Sequence, residues 1–282
     1  VERNRNIITP KERNKLMPHW NVGLNIHGAI KLDPQLNRSS SRALKSATQE
    51  SETYTQIALR EAPNSNHMRM GYFAIAFTVK APTQNEALDS GLVYASQLCD
   101  LLSFVTRVGT EHEVDEESRI SQARRTRHTA TADRMLKKEE WNFIIGSLPH
   151  LHANEPRFMA ACSWYRRGLS SDEVTEKLCC FWRVIERCAL SYQDKSQLED
   201  RRTKPIINAF CKDWFTKAPA LLESEEKKNK TYELRNTISH GNEPLSPKLI
   251  EQCSVLIEEL EEAAYQTLTV VSNHIASLSK IG

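Results

Sequence analysis

Near the N-terminus, β-branched and aromatic residues gather in three short runs, Trp20–Leu32, Thr53–Glu61 and Met70–Lys80. Phe73-Ala-Ile-Ala-Phe-Thr-Val79 reads most plainly as a strand, and together the runs predict a small sheet. Thr83-Gln-Asn-Glu86 follows as a capping box, in which a hydroxyl and a carboxylate satisfy orphan amides at a helix start. Leu88, Leu92, Ala95, Leu98, Leu102 and Val105 then recur at helical spacing. This predicts an α+β region, a small antiparallel sheet with one covering helix, over residues 19–109. The stretch before it, 1–18, is basic and broken by Pro10 and Pro18, and reads as an arm or the end of an element that begins upstream.

After Thr110 the periodicity dissolves into charge. Glu111, Glu113, Asp115, Glu116 and Glu117 precede Arg119, Arg124, Arg125, Arg127, Arg134, Lys137 and Lys138, and residues 110–156 read as a charged linker region. From Arg157 the pattern becomes helical. Phe158–Arg167 forms a first helix stopped by Gly168, and Ser171 caps a second whose Val174, Leu178, Phe181, Ile185, Cys188 and Tyr192 make one buried stripe. Pro205 opens a third, a fourth follows the charged stretch Glu223–Lys230 and ends at Gly241, and Ser246-Pro247 starts a long last one. Residues 157–282 are thus expected to form an all-α antiparallel helical bundle.

Composition adds three constraints. Apolar residues make up 39% of the 282, with 5 Trp, 7 Tyr and 8 Phe, which is enough to fill cores and excludes a disordered chain. A net charge of +2 implies no polyanion partner on its own, so any nucleic-acid surface must be a local one. The densest basic cluster is Arg124, Arg125 and Arg127, which makes it the expected place for RNA contacts, although a solvated face pairing with its acidic neighbours accounts for the same pattern. Seven cysteines, odd in number and without a Cys-x-x-Cys pair, fall mostly in apolar helical stretches and read as reduced thiols of a cytoplasmic protein. No run approaches the roughly 18 apolar residues of a membrane span, and the N-terminus lacks a signal-peptide core.

Several chemistries find no support. His150-Leu-His152 has no matching cysteine or carboxylate cluster and reads as part of a loop, so no metal is expected. No glycine-rich phosphate loop or Gly-x-Ser-x-Gly elbow occurs, and no cofactor is implied. Adjacent Cys179 and Cys180 point about 100° apart on a helix and read as packing residues.

The informative segment is Leu234-Arg-Asn-Thr-Ile-Ser-His-Gly-Asn242, late in the helical region and just before the long last helix. An arginine followed after four to six residues by a histidine, with a polar residue directly after the arginine, resembles the motif of the HEPN superfamily. Trp164-Tyr-Arg-Arg-Gly168 and Phe181-Trp-Arg-Val-Ile-Glu186 extend the likeness to the MauJ-like and ApeA-like bacterial members, which also carry a strand-rich N-terminal region. The resemblance covers about residues 157–282, and residues 20–105 in outline.

That resemblance implies a metal-independent endoribonuclease, assembled as a homodimer in which two Arg/His pairs face each other, in a defence or toxin setting with a sensor or antitoxin partner. His240 would be the general acid and base, since imidazole titrates near neutral pH, and Arg235 would stabilise the phosphorane-like transition state with its fork of donors. Attack by the ribose 2′-OH would leave a 2′,3′-cyclic phosphate. Asn236 would orient the phosphate, and Glu186 would support Arg235 or His240, unless it pairs instead with Arg183 and Arg187 on its own helix. The alternative is a non-catalytic HEPN dimerisation or ligand-binding module, in which Arg235 binds carbonyls at a helix end and His240 caps it.

Overall fold

A computed structural model describes residues 18–36, 54–61, 72–114, 134–196, 198–242 and 244–278. The N-terminal runs are strands: β1 (His19–Gly28), β2 (Ile30–Leu32), β3 (Tyr54–Glu61) and β4 (Tyr72–Lys80). Alternation along β1 buries Val22, Leu24 and Ile26 on one face. β1 pairs antiparallel with β4, placing Leu24 opposite Ile75, and β4 pairs antiparallel with β3. Helix α1 (Gln84–Thr106) packs on β1 and β4, with Gly91 against the Val22 side chain, and buries Ala87, Ala95, Leu98 and Leu102. Its start lies at the predicted place, with the Thr83 hydroxyl accepting from the Glu86 amide at 3.2 Å, but the Glu86 carboxylate makes no return bond among the described residues, so only half of the capping box forms.

The stretch 110–156, expected as a charged linker, is only in part described, and what is described is ordered secondary structure. β5 (Thr110–Val114) joins the free edge of β1, giving the antiparallel order β3-β4-β1-β5. β6 (Arg134–Leu136) pairs in parallel with β2. Helix α2 (Lys138–Asn154) follows, burying Trp141, Ile144, Ile145, Leu148 and Leu151 at helical spacing. Gly146 and Pro149 obscured that periodicity, but Pro149 is carried inside the helix. The acidic and basic residues of 115–133 lie outside the described residues, as does the N-terminal arm up to residue 17.

The remaining helices are α3 (Pro156–Ser170), α4 (Val174–Tyr192), α5 (Thr203–Trp214), the single turn α6 (Ala220–Glu223), α7 (Glu225–His240) and α8 (Pro247–Leu278). Three departures from the expected pattern have physical causes. α3 does not stop at Gly168 but runs on to Ser170. That glycine is a point of close approach instead, since a Cβ there would lie 2.5 Å from the Phe181 ring. Ser171 begins not the helix but a turn before it, its hydroxyl accepting from the Glu173 amide at 3.2 Å and donating to Glu176 at 2.7 Å. Most of the charged stretch Glu223–Lys230 forms the first turns of α7, with Ser224 capping it by accepting from the Lys227 amide at 3.2 Å. α8 begins as expected, with the Ser246 hydroxyl accepting from the Leu249 amide at 3.2 Å.

α4 is buried nearly all round rather than on one stripe, because α3, α5, α7 and α8 all pack against it. α3 in turn lies on α1, and the buried apolar side chains form one cluster running from Val22 in β1 to Ile275 in α8. The sheet region and the helical region therefore share a core, joined by an ion pair in which Arg166 Nε of α3 donates to Asp100 Oδ1 of α1 at 2.6 Å.

Candidate active site at the end of α7

Helix α7 ends where Gly241 takes φ 64°, ψ 28°, the left-handed conformation that suits glycine. From there the Gly241 amide returns to the Ile238 carbonyl at 3.2 Å and the Asn242 amide to the Thr237 carbonyl at 3.1 Å. This main-chain closure satisfies the last carbonyls of the helix without side-chain help. It leaves the side chains of the final turns free for other contacts.

Arg235 uses that freedom. Its Nη2 donates to Glu186 Oε2 of α4 at 2.7 Å, and its Nη1 donates to Asn236 Oδ1 at 2.8 Å. Both partners of the ion pair are largely enclosed, with 22% of the Arg235 side chain and 10% of the Glu186 side chain exposed. Arg235 Nε is buried and has no hydrogen-bond partner. The guanidinium is therefore held in place by two of its five N–H donors and is not saturated. Glu186 faces this arginine across the helix packing and makes no ion pair with Arg183 or Arg187 among the described residues.

His240 is the last residue of α7 and lies exposed, with no hydrogen bond to its imidazole among the described residues. It neither caps the helix nor binds Arg235. At 100° per residue, Arg235 and His240 leave the helix about 140° apart and on the order of 7.5 Å along the axis. One copy of the chain thus points its arginine inward to α4 and its imidazole outward to solvent.

Two residues that sequence reasoning did not assign to the site lie beside it. The Cys179 thiol is 3.9 Å from the Ser239 hydroxyl. Burial raises the Cys179 pKa, against the lowering effect of Ser239, Arg183 and Arg235. The spacing of Cys179, Arg183 and Glu186, four and then three residues apart, was the available signal that these three share a face of α4 toward α7.

The other candidates separate. Arg124, Arg125 and Arg127 lie outside the described residues. His150 and His152 stand on the last turns of α2 rather than in a loop, with side chains about 200° apart. His150 Nδ1 meets the Asn154 side chain at 3.1 Å, whereas His152 lies against Tyr94 with ring centroids 5.9 Å apart. Among the described residues no group of three or more His, Cys, Asp or Glu is placed to hold a metal ion. All seven cysteines are buried free thiols. No helix of the described residues is long and apolar enough to cross a membrane. No family model, no curated protein and no solved structure matches this chain, so the functional reading rests on the residues of the site itself.

Proposed function

We propose that the chain is a metal-independent endoribonuclease of HEPN type that cleaves RNA through Arg235 and His240. The observation that carries this reading is the contrast along α7: an arginine fixed by Glu186 and Asn236 through two of its five N–H groups, and an exposed imidazole at a helix end already closed by its own main chain. A purely structural role for His240 as a cap finds no contact to support it. Imidazole is the side chain suited to take a proton from a ribose 2′-OH and to return one to the leaving 5′-oxygen. A guanidinium that stays charged and is held rigidly is suited to the growing charge on the phosphate.

The 140° divergence of the two side chains favours a composite site. A phosphate held near Arg235 of one copy would meet His240 of a second copy more directly than its own, and two-fold pairing of the helical regions would supply two such sites. A cytoplasmic defence or toxin effector, governed by a sensor or antitoxin, is the setting in which such an activity would need restraint.

A second reading is favoured by one specific contact. The Glu186 ion pair occupies part of the arginine's fork, as expected if Arg235 only ties α7 to α4 in a non-catalytic dimerisation or ligand-binding module. Incubating a mixed RNA pool with the purified protein in EDTA separates the two. Cleavage that leaves 2′,3′-cyclic ends and disappears in folded His240→Ala and Arg235→Ala variants supports the ribonuclease. A folded dimer that leaves the RNA intact supports the module.

A further inference from the structure

α3 and α4 are joined by three residues and pack against each other as a helical hairpin. Along α3, Arg157, Ala160, Trp164 and Arg167 follow at steps of three and four, so they share one face. On α4, Arg183 and Arg187 stand one turn apart. Trp164 couples the two rows: the Arg167 guanidinium carbon lies 4.9 Å from its ring centroid and that of Arg183 lies 4.4 Å from it.

None of these four arginines has a carboxylate within ion-pair distance among the described residues. Three neighbouring acids are engaged elsewhere. Glu155 accepts from the Tyr192 hydroxyl at 2.7 Å, Glu176 from Ser171 at 2.7 Å, and Glu186 from Arg235 at 2.7 Å. Arg157, Arg167 and Arg187 are exposed, and Arg183 and Trp164 are half-buried. A guanidinium stacked on an indole is held by its flat face while the N–H groups at its edge stay available, which is the arrangement that receives a phosphate.

We infer that the outer face of the α3–α4 hairpin, Trp164 with Arg157, Arg167, Arg183 and Arg187, is a track for single-stranded RNA that leads toward Arg235. The arginines would follow successive phosphates, and unpaired bases would lie on the guanidinium planes that Trp164 holds in place, a stacking contact that the paired bases of a duplex cannot make. The link to the candidate active site is Cys179, which stands one turn before Arg183 on α4 and whose thiol lies 3.9 Å from the Ser239 hydroxyl of α7, the helix that carries Arg235. An acidic protein segment would match the same charge, but it would leave the flat aromatic and guanidinium surfaces unused. The inference rests on the ribonuclease reading for its purpose, though not for its measurement.

The test is binding of a fluorescent single-stranded oligouridylate of about 12 nucleotides to the full chain carrying His240→Ala, followed by anisotropy over a salt series. Four phosphate contacts predict a slope of log affinity against log salt near about −3. Arg183→Gln with Arg187→Gln should weaken binding on the order of tenfold to a hundredfold at low salt and roughly halve that slope. Trp164→Leu should weaken it without a matching change in slope, and Arg202→Gln, an exposed arginine paired with Asp200 and on neither helix of the hairpin, should leave it unchanged.

Unaltered affinity in the Arg183/Arg187 variant would overturn the track. So would equal affinity for a duplex of the same length, or displacement of the RNA by polyglutamate at matched charge. If the native chain cleaves RNA while the arginine variants bind as tightly as their parent, the track fails alone. If the variants lose binding but the native chain cuts nothing, the track stands and the catalytic reading falls.

Discussion

Among the described residues, two largely enclosed arginine–carboxylate pairs join helices, Arg166–Asp100 and Arg235–Glu186, and their surroundings differ. Arg166 on α3 has all three guanidinium nitrogens engaged: Nε donates to Asp100, Nη1 reaches the Thr110 carbonyl at 3.4 Å, and Nη2 reaches the Ser96 hydroxyl at 3.3 Å. Its partner Asp100 is buried between the sheet side and the helical side of the shared core. Arg235 on α7 has a carboxylate and an amide oxygen but keeps a buried donor without a partner, and an exposed imidazole follows it on the same helix. A guanidinium engaged at every nitrogen fixes a packing arrangement. One engaged only through its two Nη atoms, and partly exposed, keeps further Nη N–H groups for a ligand.

The largest effect expected from this contrast is catalytic. On the proposed ribonuclease reading, His240→Ala should reduce RNA cleavage about 10²- to 10⁴-fold, the usual range for a general acid or base, while leaving the protein's thermal midpoint unchanged. Parallel cleavage rates and thermal denaturation measure both. A variant that loses stability and activity together would give His240 a structural role and erase the distinction between the two pairs.

At the other pair the expectation is reversed. Arg166→Met strands the Asp100 carboxylate in the core and should cost about 3–5 kcal/mol in urea denaturation. Adding Asp100→Asn should recover part of that loss, because the stranded charge is then gone. A substitution cost that the second change does not alter would mean that the pair is uncoupled, against its 2.6 Å geometry.

pH sharpens the same point. Burial pushes the Asp100 carboxyl up to about 6, even with Arg166 opposing the shift. The folded value then stands above the roughly 3.9 of an unfolded chain, so the native state holds the extra proton between those two pH values. Stability attributable to this group is full below about pH 4 and is lost as pH rises through about 6. Measured as the difference between the native chain and Asp100→Asn, stability should shift by about 2–3 kcal/mol against the native chain between pH 4 and pH 7. A constant difference would place the Asp100 carboxyl at its ordinary value.

How much of this was legible from residues alone follows from what each feature depends on. Strand alternation, the Thr83 and Ser246 caps and the Gly241 exit are local, and each was readable in place. Gly168 was misread because a stop and a close approach use the same residue, and only the position of Phe181, thirteen residues on, distinguishes them. α2 was missed because Gly146 and Pro149 carry more weight in a local reading than five buried apolar residues do. Glu186 was named as a partner for Arg235, but helix periodicity allowed Arg183 and Arg187 equally, and the choice depended on α7 packing against α4. The Asp100–Arg166 pair, 66 residues apart in sequence, carried no local signal.

The smallest expected effect concerns how the two regions end their helices. α1 also closes in the left-handed region, but with Arg107 at φ 57°, a strained choice for a residue with a side chain. Its guanidinium offsets that strain by binding Glu262 at 2.8 Å and Glu261 at 3.4 Å and by lying 4.3 Å over the Tyr265 ring of α8. Gly241 has no such ties, and a Cβ added there would meet nothing within 4 Å. Gly241→Ala should therefore cost only the conformational term, about 1 kcal/mol, seen as a fall of about 2–4 °C in thermal midpoint. Gly241→Asn, which tolerates this conformation better, should cost less. Because His240 precedes the closure directly, the alanine variant should also lose cleavage out of proportion to its lost stability, through fraying of the turn that aims the imidazole. If both variants keep full cleavage at a lowered midpoint, the aim of His240 does not depend on how α7 ends.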